Sequence, residues 1–134
     1  MGSEVRILLE TFALRIIKMK KSPVNLRVYR IIDGGNKHLR YLARISGKCT
    51  TRHADRFVSS NLGVLARAIW KEYEYSIFYP FSKYELDIRT SSDEPLSMPY
   101  VGGTKRILIM SREKRILESY FEDFFWDAIA HKWG

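Results

Sequence analysis

From Val24 to Ser46 the chain alternates apolar and polar positions with a period of two. Val24, Leu26 and Val28 fall on one face of the first run, and Asn25, Arg27 and Tyr29 on the other. In the second run Leu39, Tyr41, Ala43 and Ile45 lie opposite His38, Arg40, Leu42 and Arg44. Successive side chains of a strand point to opposite faces, so each run predicts a strand with one apolar and one basic side. Asp33-Gly34-Gly35-Asn36 joins the runs, and glycines accept the positive φ that a tight hairpin turn needs. The alternation slips around Arg30-Ile31-Ile32, which predicts a bulge beside the turn.

Other periods surround this hairpin. Ile7, Leu8, Thr11, Phe12, Arg15 and Ile16 recur at helical spacing and predict an amphipathic helix over 3–20, ended by Ser22-Pro23. Residues 48–56 are polar and fit either a third short strand or a loop. Leu62, Leu65, Ala66, Ile69, Trp70 and Tyr73 predict a helix over about 60–75, capped by Asn61 or Ser60. Tyr84, Leu86 and Ile88 alternate with Glu85, Asp87 and Arg89, as in a half-buried strand. The stretch 91–104 holds two prolines and two glycines and reads as a long loop before a buried strand over 105–110. A last helix runs from a cap at Ser111 to the C-terminus, with Glu113 in its first turn.

The resulting order is α-β-β-α-β-β-α. It predicts an α+β fold: a single antiparallel sheet of about four strands, built from two hairpins, with helices packed on one face. The basic hairpin face would then stay open, as antiparallel sheets allow. The 134 residues suit a single domain, 1–134, with its own core.

Charge changes the picture more than composition does. The net charge is +8. Residues 1–52 hold 12 Lys/Arg against 3 Asp/Glu, whereas residues 53–134 hold 11 against 12. The excess is therefore confined to the part that carries the hairpin, as expected for a polyanion partner. A solvated basic surface is the plainer reading of the same pattern. No apolar run reaches the roughly 20 residues of a membrane span, and the charged N-terminal stretch does not fit a secretory signal. Cys49 is the lone cysteine, so no disulfide closes within the chain. A cytoplasmic protein with no membrane contact and no cofactor is expected.

The candidate nucleic-acid-binding set is Arg27, Tyr29, Arg30, Lys37, His38, Arg40, Arg44 and Lys48. Cations neutralise phosphates, and an aromatic can stack on a base. Sheet modules that read RNA use two or three stacked aromatics, and here only Tyr29 lies on that face, so DNA is favoured over RNA. Phosphate contact or entry of the two-stranded ribbon into a major groove remains. The first expectation is a small non-catalytic nucleic-acid-binding protein.

The alternative is an adaptor or inhibitor whose basic face meets an acidic protein. The last helix carries more aromatic surface than one buried stripe needs, and Tyr120, Phe124, Phe125, Trp126 and Trp133 could form a homodimer seam or a partner interface. Closing the core is the simpler use of the same residues.

An enzyme comes third. Glu85 and Asp87 with Arg89 on one strand face resemble the carboxylate-and-cation sets of metal-dependent nucleases, though a charged solvent face explains them equally. Cys49 and His53 supply two ligands where a zinc site needs about four, so no metal is expected. Asp127 and His131 lie one helical turn apart, as a surface pair would, and no glycine-rich phosphate loop is present.

Overall fold

A computed structural model of the chain describes residues 21–33, 36–48, 55–91 and 104–133. The helix expected over 3–20, the glycine turn 34–35 and most of the 91–104 loop lie outside the described residues.

Strand β1 (Ser22–Asp33) pairs antiparallel with β2 (Asn36–Gly47), with Leu26 opposite Ile45 and Asp33 opposite Asn36. The register slips between Ile31 and Asp33, where the bulge was expected. The polar stretch after β2 leads into a third strand, β3 (Asp55–Ser59), which pairs antiparallel with the other edge of β2.

Helix α1 (Leu62–Tyr73) follows, and the Asn61 side chain caps it by accepting from the backbone N–H of Gly63 at 2.7 Å and of Val64 at 3.3 Å. The helix widens into a π-helical turn, Glu74–Phe78. Ser82 then steers the chain into the next strand. Its hydroxyl donates to the Ser76 carbonyl, and its Oγ accepts from the Tyr84 N–H at 3.1 Å.

Strands β4 (Tyr84–Arg89) and β5 (Thr104–Leu108) precede the long helix α2 (Ser111–Trp133). Its cap differs from expectation. The Glu113 carboxylate reaches back to accept from the Met110 N–H at 3.2 Å, the half of a capping box that an acid in the first turn supplies.

The sheet corrects the predicted architecture. It has five strands and is mixed, in the order β3-β2-β1-β4, with β5 also on β1. β4 runs parallel to β1 along residues 22–27, and β5 runs antiparallel to it along 29–33. The two therefore share one edge of β1 instead of forming a second hairpin. The reason lies in β3. Being antiparallel to β2, β3 runs in the direction of β1, and the crossover through α1 brings β4 back in that same direction, parallel to β1.

Val24, Leu26 and Val28 of β1, Ala43 and Ile45 of β2 and Ile88 of β4 are buried against Leu65, Ile69 and Trp70 of α1 and Leu117 and Phe121 of α2. Each such Leu or Ile contributes about 1.5–3 kcal/mol by leaving water. Trp70 stacks on Phe78 with ring centroids 4.6 Å apart, and Phe78 meets Phe121 at 4.6 Å, tying the π-helical turn to α2. At the far end of α2 the Lys132 ammonium donates to the Tyr75 hydroxyl at 2.8 Å and lies 4.4 Å and 4.8 Å from the Tyr75 and Tyr79 rings. Both helices thus cover one side of the sheet.

Candidate nucleic-acid interface

The other side of the sheet is defined by residues that alternate with the core positions. Arg56 of β3 stands opposite Arg44 of β2, Arg44 opposite Arg27 of β1, and Arg27 opposite Arg89 of β4. Residues directly opposite share a face, so four arginines form one row across four strands. With strands about 4.8 Å apart, the row spans roughly 14 Å. Arg27, Arg56 and Arg89 are exposed and Arg44 is half-buried.

Like charges placed directly opposite one another destabilise a sheet. Little in the row offsets this. Arg89 Nε lies 3.3 Å from an Asp87 carboxylate oxygen and donates to Asn25 Oδ1 at 3.3 Å. Among the described residues no carboxylate forms an ion pair with Arg27, Arg44 or Arg56.

Beside this row lies an apolar one. Val58 stands opposite Leu42, Leu42 opposite Tyr29, and Tyr29 opposite Leu108. Val58 is 57% exposed, Tyr29 and Leu108 are half-buried, and Leu42 is buried although it lies outside the main core. In the next row Arg40 and Arg106 flank Ile31, and both arginines are exposed. The face therefore carries two cationic rows with an apolar, aromatic one between them.

The residues singled out from sequence divide. Arg27, Tyr29, Arg40 and Arg44 come together on this face. Lys48 is exposed just beyond the end of β2. Lys37 and His38 lie on β2 towards the turn, and their side chains are outside the described residues.

Arg30 sits on the helix side. The alternation set by Val28 carries through it, because the slip comes only after Ile31. Its Nε is 3.8 Å from the Glu113 carboxylate, and two of its nitrogens are buried without hydrogen-bond partners. Tyr41 completes this cluster. Burial raises its hydroxyl pKa, and the charge of Glu113 with a hydrogen bond to it raises it further, while Arg30 acts in the opposite sense.

Arg56, Arg89 and Arg106 were not among the nucleic-acid-binding candidates read from the sequence, where Arg89 figured only beside Glu85 and Asp87. Alternation alone assigns Arg89 a face, and only the parallel register of β4 brings it beside Arg27. Arg56 lay at the end of a stretch without a readable period.

Among the aromatics of α2, Phe124 and Phe125 pack against the core, with Phe124 5.9 Å from Trp70 and the Arg67 guanidinium 4.8 Å over its ring. Trp126 is half-buried, 5.2 Å from Phe125, and Tyr120 is 38% exposed. The Trp133 side chain is outside the described residues.

Glu85 and Asp87 lie on the open face of β4, ahead of Arg89. Among the described residues no three His, Cys, Asp or Glu side chains gather where they could hold a metal ion. Cys49, His53, Asp93 and Glu94 are outside those residues, and Asp127 and His131 are exposed on α2. A separate cleft of about 300 Å³ runs between the π-helical turn, β4 and α2, lined by Phe78, Tyr84, Leu86 and Phe125 with Lys21 and Glu85. Burial lowers the Lys21 pKa, and Glu85 opposes that shift. Among the described residues no helix is long and apolar enough to cross a membrane.

No protein-family model, curated protein or solved structure matches the chain.

Proposed function

We propose that this protein binds nucleic acid on the open face of its sheet, holding phosphates with Arg27, Arg44, Arg56 and Arg89 and performing no reaction on them. The single observation that carries this reading is the cross-strand row of four arginines. Mutual repulsion makes such a row unfavourable in the free protein, and a line of phosphates removes that repulsion. Arg40 and Arg106 extend the same field on the far side of the apolar row.

Arginine suits the task because its planar guanidinium pairs with phosphate oxygens through two parallel hydrogen bonds and stays charged at all working pH values. DNA is favoured over RNA, since Tyr29 is the one aromatic in the three rows.

Fluorescence anisotropy with labelled DNA and RNA, single-stranded and duplex, at low and moderate salt tests the reading. Binding that weakens steeply with salt is expected. A folded protein that binds none of them at low salt would redirect these arginines to the alternative partner, an acidic protein surface.

A further inference from the structure

The geometry points to a single strand as the form of nucleic acid this face takes, an inference that rests on the nucleic-acid reading above. Two features of the sheet carry it.

The first is the width of the hairpin. A two-stranded ribbon can enter a DNA major groove about 12 Å wide. Here β1 and β2 do not project as a free ribbon. β5 accompanies β1 to its end, with Thr104 opposite Asp33 and Lys105 opposite Ile32. At the base, β3 and β4 flank the pair. The tip is thus three strands wide, about 10 Å between the outer backbones before any side chain is added. Such an edge does not fit the groove, so a duplex could meet this face only through its outer phosphates.

The second is the apolar row. A duplex touching the arginines would lay sugar and phosphate against the Val58 and Leu108 side chains and the Tyr29 ring, where only the Tyr29 hydroxyl could hydrogen-bond them and the apolar surface would go unmatched. A single strand presents unpaired bases with free π faces. With its phosphates on Arg56, Arg44, Arg27 and Arg89, its bases would turn onto the adjacent row, where Tyr29 is the stacking surface and Val58 and Leu108 are its apolar shoulders. Tyr29 is half-buried, and among the described residues its ring enters no ring–ring contact and its hydroxyl no hydrogen bond. The Val58 side of the row is open, at 57% exposure.

The test compares three ligands of equal length: an oligothymidylate, the same single strand built from abasic residues, and a duplex. An oligouridylate arm asks whether ribose is tolerated. One stacked base contributes about 1–3 kcal/mol, so the normal strand should bind about 5- to 150-fold tighter than the abasic strand. Tyr29→Ala should close most of that gap and Tyr29→Phe should keep it. Val58→Thr, which removes apolar surface at this exposed position without adding charge and keeps a good strand former, should narrow it.

Equal affinity for normal and abasic strands, or a preference for the duplex, would overturn the single-strand inference while leaving phosphate binding by the arginines intact. Loss of binding to every ligand at low salt would remove both.

Discussion

Arg27 and Arg44 stand directly opposite each other in the β1–β2 ladder, and no carboxylate among the described residues pairs with either. A residue kept for stability would not be placed so. Arg44→Thr replaces one cation with a good strand former and relieves repulsion from both Arg27 and Arg56. Folding stability should hold or rise by about 0.2–1 kcal/mol in urea denaturation. Nucleic-acid affinity should fall, and the slope of log K against log salt for a single strand should shrink by about 0.7. Opposite signs for stability and binding separate a functional arginine from a merely solvated one.

Gly47 fixes the end of β2 by its backbone. Its φ is +147°, and a Cβ built there would lie 3.0 Å from the Pro23 carbonyl oxygen and 3.1 Å from Val24 Cα. Both neighbours are main chain and cannot swing aside. Gly47→Ala should destabilise the protein by about 1–3 kcal/mol in chemical denaturation. The folded fraction should still bind nucleic acid, since Gly47 lies outside the arginine row.

Tyr41 makes stability sensitive to alkali. Its folded pKa lies above the ordinary 10.0, first because it is buried and then because Glu113 holds its proton, with Arg30 opposing. A raised folded pKa means that the contribution is complete below the unfolded value and is lost as pH climbs through the folded one. Melting temperature measured from about pH 8 to about pH 11 should therefore decline less steeply for Tyr41→Phe than for the wild type. Parallel curves would show that Tyr41 ionisation is not coupled to folding.

The hairpin was legible because both runs alternate cleanly and one of their faces must be buried. Alternation gives a face and stops there. Which residues share a row depends on register between strands far apart in sequence, and Arg89 reaches Arg27, as Arg56 reaches Arg44, only through that register. β3 is five residues long, with a single core-facing aromatic in Phe57, so its signal was too short to separate from the polar stretch before it. Without β3 the helix that follows did not read as a crossover, and β4 was placed antiparallel. Arg30 was counted with the basic face, but the slip falls after Ile31, so the alternation from Val28 carries Arg30 to the helix side.

The most direct measurement is the salt dependence of binding for the wild type, for Arg27→Ala/Arg44→Ala/Arg56→Ala, and for Lys71→Ala/Arg112→Ala/Arg115→Ala. The second variant removes the same charge from exposed positions on the two helices. If the row holds phosphates, the first variant should lose about 0.7 of slope for each contact removed from a single strand, and most of its affinity, while the helix variant stays near the wild type. Equal losses in the two variants would show that net charge alone draws the polymer, and would contradict the assignment of the arginine row as the binding surface.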